Sequence, residues 1–180
     1  MNNSLWTHVK RRCVLRIALC TLLVFVVTLN GCVGYRLGST LPSYIKTIHV
    51  PTFINKCNEP MLETETTQAA VREFQKDGTL RVTGAVEADL LLSVTLVDYD
   101  LRSLRFGKNQ AKATKEYRLK ITAEINCKDR LTGKVMIRKQ VQGEATFEPS
   151  GDLSSAKRSA LPEAARDLAH DIVENIVEAW

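Results

Sequence analysis

Apolar and polar side chains alternate without interruption between residues 117 and 128. A period of two predicts a β-strand that is buried on one side and solvated on the other. Residues 88–101 and 135–147 show the same pattern, and residues 129–133 have the composition of a turn. The three segments therefore predict an antiparallel meander with one apolar and one polar face. The polar face of the middle strand would carry Arg118, Lys120, Thr122, Glu124, Asn126 and Lys128.

Two further segments repeat their apolar residues at intervals of three and four, which is typical of helices with one buried face. The first begins near Pro60 and ends at Asp77-Gly78, where glycine can adopt the left-handed conformation of a helix cap. The second runs from about Ser155 to the C-terminus. Its polar side would carry Arg166, Asp167, Asp171, Glu174 and Glu178.

Two short segments rich in β-forming residues flank the first helix. Residues 44–53 predict a strand before it, and residues 80–83 predict a brief strand after it. A one-sided sheet and two one-sided helices bury their apolar faces most economically against each other. We therefore expect an α+β fold over residues 44–180. It would be a two-layer sandwich, with two helices packed on one face of a four-stranded, mostly antiparallel sheet.

The positive charge of the chain is concentrated near its N-terminus. The 180 residues carry a formal net charge of +5, but residues 1–31 contain four basic residues and no acidic one. The rest of the chain contains 21 basic and 20 acidic side chains and is almost neutral. Because nucleic-acid-binding domains normally show a strong excess of basic residues, no nucleic-acid partner is expected.

The basic N-terminal stretch leads into an uncharged, mostly apolar run of 13 residues, from Ile17 to Leu29. A membrane-spanning helix needs roughly 20 residues, whereas the apolar core of a signal peptide needs roughly 7–15. The run ends in Leu29-Asn30-Gly31-Cys32, the pattern at which bacterial lipoproteins are cleaved and lipidated. We therefore predict a signal peptide at residues 1–31, attachment of fatty acids such as palmitate at Cys32, and a lipidated tether at residues 32–43.

An ordinary cleaved signal peptide, or a short membrane anchor with an incidental cysteine, is the alternative interpretation. The residue after Cys32 is Val33 rather than the aspartate that retains lipoproteins in the inner membrane. The expected location is therefore the outer membrane, with the domain on its periplasmic side. Three acyl chains, at about 0.8 kcal/mol for each buried CH₂, would make this membrane anchor effectively permanent.

Two cysteines, Cys57 and Cys127, remain after the signal peptide is removed and Cys32 is lipidated. Because the periplasm is oxidising, they could form a disulfide with each other. Two separate buried thiols are the alternative. Neither cysteine belongs to a cluster with the spacing of metal ligands, so no metal and no other cofactor is expected.

The sequence contains no recognisable catalytic motif, and no enzymatic activity is expected. Its remaining distinctive feature is a run of basic residues between the first two long strands, which includes Arg105 and Lys108. A smaller basic cluster begins at Lys157, near the start of the last helix. These residues either form a solubilising rim or bind the phosphate and carboxylate groups of a glycolipid.

A series of short motifs follows in order along residues 32–180. They are Cys32-Val33-Gly34-Tyr35-Arg36-Leu37, Leu41-Pro42, Ile45-Lys46-Thr47-Ile48-His49-Val50-Pro51, Phe53-x-Asn55, Pro60-x-Leu62-Glu63, Ala88-Asp89-Leu90 and Glu116-Tyr117. In order and spacing the series resembles the LptE-like lipopolysaccharide-assembly lipoproteins. The chain departs from the family pattern at Val33, which is inserted before the glycine, and at Cys57, where a hydroxyl residue is usual.

The resemblance implies two helices against a four-stranded sheet and a non-enzymatic function. Such proteins plug the LptD β-barrel, help it to assemble and bind lipopolysaccharide on its way to the outer leaflet; a polar sheet face suits the polar lumen of a barrel. The implied partners are an LptD-type barrel and lipopolysaccharide, and Arg105, Lys108 and Lys157 are the expected lipopolysaccharide contacts. A pilotin-like or scaffold lipoprotein of another envelope complex and a lipid-anchored periplasmic enzyme are the alternatives.

Overall fold

The computed structural model describes residues 41–104, 116–149 and 151–178, and these residues form six strands and two helices. The strands are β1 (Thr47–His49), β2 (Ile54–Asn55), β3 (Arg81–Val82), β4 (Leu90–Ser103), β5 (Tyr117–Asp129) and β6 (Val135–Phe147). The helices are α1 (Leu62–Asp77) and α2 (Leu153–Val177). The α+β class, both helices and the three long strands are as predicted from the sequence.

The three long strands form the antiparallel meander that their alternation predicts. β4 pairs with β5, and β5 pairs with β6, over almost their whole lengths. A β-bulge in β4, between Leu96 and Asp98, shifts the register by one residue. As a result the apolar face of β4 continues through Tyr99 and Leu101, while Asp98 and Asp100 lie on the polar face.

The rest of the sheet is parallel, which the sequence did not predict. β1 pairs in parallel with both β3 and β4, and β2 pairs in parallel with β4. The single strand expected over residues 44–53 is therefore split into two. Pro51 has no amide hydrogen to donate to a sheet, and the amide of Phe53 donates to Thr67 Oγ1 of α1 at 3.0 Å. The expected four-stranded, mostly antiparallel sheet is thus replaced by a mixed sheet of six strands among the described residues.

The start of the sheet is fixed by one carboxylate. Asp89 Oδ2 accepts hydrogen bonds from the Lys46 amide at 2.9 Å, the Thr47 amide at 3.0 Å and the Thr47 hydroxyl at 2.8 Å. The hydrogen bond from the Lys46 amide, followed by those from Thr47, lowers the pKa of Asp89 below its usual value. Asp89 lies within the Ala88-Asp89-Leu90 motif. In this structure that aspartate positions β1 beside β4.

Asp89→Asn is expected to lower the free energy of unfolding at neutral pH by about 1–2 kcal/mol, since it removes the charge from these hydrogen bonds. Because the pKa of Asp89 is lowered on folding, its contribution is complete above the unfolded value of about 3.9 and is lost as the pH falls through the lower folded value. The stability difference from the parent should therefore shrink below about pH 4. Urea unfolding between pH 3 and 7 measures it.

A suitable control for this prediction is Asp77→Asn, because the exposed Asp77 carboxylate accepts from the Thr79 amide at the end of α1. This control should change stability by only a few tenths of a kcal/mol. Equal losses for Asp77→Asn and Asp89→Asn would show that Asp89 does not hold β1 in place.

Both helices lie on the apolar face of the sheet, and their buried residues form one core with those of β4 and β5. α1 ends as predicted, since Gly78 has a φ of 75° and its amide donates to the Phe74 carbonyl. Asp152 caps the start of α2 by accepting from the Ser155 amide at 3.0 Å. α2 packs tightly against β6 at Gly143, where a Cβ atom would lie 2.3 Å from Leu168 N and 2.4 Å from Ala164 O.

One side of α2 follows the outer edge of β6. Asp167 Oδ2 accepts from the Glu144 amide at 2.8 Å, and Asp171 Oδ2 accepts from the Gln142 amide at 3.0 Å. The two aspartates lie on the solvated side of the helix, as predicted, since Asp167 is exposed and Asp171 is half-buried; their hydrogen bonds to the strand were not predicted. Edge strands leave outward-facing amides unpaired, and here the helix carboxylates satisfy two of them.

Candidate functional site

The face of the sheet opposite the helices is polar along β4, β5 and β6. We call it the open face. It carries Ser93, Thr95, Asp98, Asp100, Arg102, Arg118, Lys120, Thr122, Glu124, Asn126, Arg138, Gln140, Gln142 and Glu144. Most of these side chains are exposed or half-exposed, whereas Thr122 at the centre is buried among its neighbours. The open face is thus a broad hydrophilic surface on a rigid sheet.

Charges of both signs are interspersed on the open face. Glu144 forms ion pairs with Arg118 at 3.3 Å and Lys120 at 3.9 Å, and Arg102 pairs with Asp100. Such solvated pairs contribute little to stability. The Asn126 Oδ1 atom is buried and has no hydrogen-bond partner among the described residues. The open face can therefore exchange hydrogen bonds with a polar partner at many points.

Two arginines oppose each other at one end of the open face. Arg102 and Arg118 are direct neighbours in the register between β4 and β5, on the same face of the sheet. Like charges in opposed positions are unfavourable, and here each arginine has a carboxylate beside it, Asp100 for Arg102 and Glu144 for Arg118. We call this end of the sheet the loop end, because β4 and β5 are connected here. The Leu104 amide, just after β4, donates to the Glu116 carbonyl, just before β5, at 2.8 Å.

Lys157 lies at the loop end as well, on the first turns of α2. Its Nζ is 2.8 Å from Glu59 Oε2 and 5.3 Å from the centre of the Tyr99 ring. The surrounding pocket is lined by residues 56–59 and by β4. The Tyr99 hydroxyl is buried in this region and has no hydrogen-bond partner among the described residues. Burial raises the pKa of Tyr99, so that it stays protonated. A hydroxyl donor and an ammonium group therefore lie close together.

Of the residues predicted to carry lipid or to contact lipopolysaccharide, the structure describes only Lys157. Arg105 and Lys108 lie outside the described residues, and so does Cys32. The partners of Lys157 could not be foreseen, because the bulge after Leu96 alters which β4 side chains face the helices. Simple alternation would have put Asp98, rather than Tyr99, on that side.

Cys57 and Cys127 are free thiols in the structure. Cys127 is paired with Leu92 in the β-sheet register, whereas Cys57 lines the pocket beside Val97 and Asp98. Five residues along a strand correspond to about 16 Å, whereas the Cα atoms of a disulfide lie within about 7 Å. The suggested disulfide is therefore absent from this fold. Burial raises the pKa of Cys127 to about 12, so this thiol stays protonated.

Among the described residues, no helix combines the length and apolar character needed to cross a membrane. The same part of the chain contains no group of His, Cys, Asp and Glu side chains arranged to hold a metal ion.

Comparison with known proteins bears on both fold and function. The model of the LptE family, described as lipopolysaccharide-assembly, matches residues 45–176. The crystal structure of a hypothetical protein from Chlamydia trachomatis is similar, with a TM-score of 0.54 and 8% identity over 73% of this chain and 95% of that one. A minor lipoprotein from Acinetobacter baumannii gives a TM-score of 0.45 and 15% identity over 73% and 92% of the two chains. No curated protein sequence shows significant similarity to this chain.

Proposed function

Because this chain belongs to the LptE lipopolysaccharide-assembly family, we propose that it is an outer-membrane lipoprotein that acts without catalysis. In this proposal it plugs a β-barrel partner of the LptD type and binds lipopolysaccharide during assembly at the outer membrane. The family match carries the proposal. The open face supports docking inside a barrel, and the loop end supports binding of lipopolysaccharide.

The open face supports docking inside a barrel. The lumen of an outer-membrane barrel is polar, in contrast to its lipid-facing surface. A plug therefore needs a hydrophilic surface that is held rigidly, and the open face supplies one on three long strands. Interspersed charges such as Arg118, Lys120 and Glu144 suit a wet, hydrogen-bonded interface better than an apolar one.

The loop end supports binding of an anionic glycolipid. Arg102 and Arg118 face each other there, and the connection between β4 and β5 adds Arg105 and Lys108 from the sequence. Phosphate and carboxylate groups form strong, charge-assisted hydrogen bonds with such side chains. Lys157 is paired with Glu59, just as Arg102 and Arg118 are paired with Asp100 and Glu144, so a phosphate group would compete with these carboxylates for all three side chains.

The double change Arg105→Glu and Lys108→Glu is expected to weaken lipopolysaccharide binding by at least about tenfold, since each charged hydrogen bond contributes about 1.5–3 kcal/mol. Binding to purified lipopolysaccharide can be measured by isothermal titration calorimetry or by surface plasmon resonance. The melting temperature should not change.

A matched control for this prediction is Arg166→Glu, which reverses an exposed charge on α2 and should leave the affinity unchanged. If the double variant binds lipopolysaccharide as tightly as the parent, the basic connection only makes the protein more soluble. Lys157→Glu tests the third predicted contact, with the melting temperature reporting the loss of its ion pair with Glu59.

A further inference from the structure

The edge of β4 that faces away from β5 is covered by other strands along only part of its length. β1 and β2 pair with this edge between Leu90 and Leu96. The last hydrogen bond on this side runs from the Lys56 amide to the Leu96 carbonyl at 3.0 Å. Beyond the bulge β4 continues to Ser103, and among the described residues no strand lies beside this part. We call residues 98–103 of β4 the free edge.

The register shows which backbone groups point outward from the free edge. Neighbouring residues of an antiparallel strand alternate between those that bond to the adjacent strand and those that do not. The Leu104 amide donates to the Glu116 carbonyl, so every second residue before Leu104 also bonds toward β5. The residues between them turn their amides and carbonyls away from β5, and they are Tyr99, Leu101 and Ser103. In the part of the chain that the structure describes, none of these outward groups has a hydrogen-bond partner.

A fixed loop keeps the free edge open. Asn55 Oδ1 accepts from the Cys57 amide at 2.8 Å, so the chain turns away from β4 directly after β2. Asn55 Nδ2 donates to the Glu59 carbonyl at 2.9 Å, and Lys157 Nζ donates to Glu59 Oε2 at 2.8 Å. The loop at residues 56–59 is therefore held from both sides. Between this loop and β4 lies a pocket of about 480 Å³.

We infer that the free edge pairs with an extended segment of the barrel partner, namely a loop that folds into the lumen. Addition of a strand to an exposed sheet edge is a recurring mode of peptide recognition, in which backbone hydrogen bonds provide the affinity. The inference rests on the proposed function and deepens it, because the free edge borders the open face and would lie in the same interface.

The surroundings inside a barrel favour this occupant. Backbone amides and carbonyls that are shielded from water are costly unless they are hydrogen-bonded. A domain that plugs a barrel would bring the outward groups of the free edge into such surroundings. Outer-membrane barrels have long extracellular loops, and in some barrels loops plug the lumen. A loop of this kind can supply the missing strand in the place that β2 leaves open.

The side chains along the free edge define the chemistry of the added segment. Tyr99 and Leu101 are half-buried on the helix side of the sheet, so an apolar side chain of the segment would pack beside them. On the open face Asp98 is exposed and forms no ion pair among the described residues. A lysine or arginine of the segment would pair with it. The expected segment therefore alternates apolar and polar residues and carries a basic residue on its polar side.

The opposite edge of the sheet provides a matched control. On β6 the outward amides of Gln142 and Glu144 already donate to carboxylates of α2. By the same alternation the amides of Arg138 and Gln140 point outward, and no strand lies beside them in the described part of the chain. These two amides are chemically equivalent to those of the free edge, but the inference assigns them no partner strand.

Residue-resolved hydrogen exchange tests the inference on the lipidated chain, alone and co-purified with the LptD-type barrel of the same cells. In the complex, exchange at the Tyr99, Leu101 and Ser103 amides should slow by at least about tenfold, because each gains a hydrogen bond. Exchange at Arg138 and Gln140 should change by less than about twofold.

Two results of this experiment would overturn the inference. Exchange that does not slow at the free edge excludes a bonded strand there, and equal slowing at both edges shows that the lumen only shields the domain. A chain with which no barrel is recovered refutes the proposed function itself. A recovered complex without selective protection of the free edge refutes only the added strand.

Ser103→Pro provides a second test, because it removes one outward amide at a position where the sheet itself does not use it. In competition with the parent chain, this variant should recover about tenfold less barrel, since the carbonyl that it no longer bonds stays buried and unpaired. Arg138→Pro removes the equivalent amide on β6 and should compete as well as the parent. The melting temperature checks that both variants are folded. Equal competition by folded Ser103→Pro and Arg138→Pro chains would contradict the inference, and if Ser103→Pro does not fold, the exchange measurement on the parent decides.

Discussion

Replacing Gly143 by valine is expected to lower the free energy of unfolding by at least about 3 kcal/mol, at the upper end of the cost of overpacking. A Cβ atom at this position would lie within 2.5 Å of three atoms of α2, namely Leu168 N, Ala164 O and Leu168 Cβ. Two of these belong to the helix backbone, so no side-chain rotation can make room. Either α2 must move away from β6 or the strand must leave the sheet.

Thermal unfolding followed by circular dichroism measures this effect, and we expect the melting temperature to fall by about 10 °C. Gly84→Ala is the control, because a Cβ atom there would have no neighbour within 4 Å, and its effect should stay within about 0.5 kcal/mol. If Gly143→Val melts with the parent protein, α2 does not pack on β6 as described.

Changing Cys32 to alanine is expected to abolish lipidation completely, because the thioether to the diacylglyceryl group can form only at a thiol. The variant should stay uncleaved at this site and should take up no radioactive fatty acid in growing cells. Cys57→Ala is the matched control, since it removes a thiol of the folded domain and should leave labelling unchanged. Fatty-acid labelling that persists in Cys32→Ala would remove the lipoprotein assignment.

The long elements of the fold could be predicted from the sequence because each of them buries a single face. The alternation from Tyr117 onward and the helical spacing in α1 and α2 report that burial directly. Gly78 likewise ends α1 for a local reason, its left-handed conformation. Patterns of this kind depend only on which side of an element faces the core.

The parts that escaped prediction depend on distant partners. Strands were predicted over residues 44–53 and 80–83. The split of the first into β1 and β2 and the parallel pairing of β1, β2 and β3 were not predicted, because strands of two or three residues are too short to show a period. Asp89 is separated by more than 40 positions from the amides that it accepts, and Asp167 bonds to an edge strand. A carboxylate that satisfies backbone amides cannot be told from a solvated one by its position in the sequence.

The candidate site also contains features that follow from the local pattern and features that depend on distant partners. The polar face of β5 follows from alternation, and the open face is its continuation onto two neighbouring strands. The surroundings of Lys157 could not be predicted from alternation. Tyr99 faces Lys157 because of the bulge in β4, and Glu59 belongs to the loop before α1. The disulfide suggested by two remaining cysteines fails for a related reason, since the sheet register separates Cys57 from Cys127.

Affinity purification of the tagged, lipidated chain from membranes in mild detergent tests the proposed function most directly. The proposal predicts that a large outer-membrane β-barrel of the LptD type is recovered in stoichiometric amount. Recovery of a secretin, or of no stoichiometric partner, would contradict it.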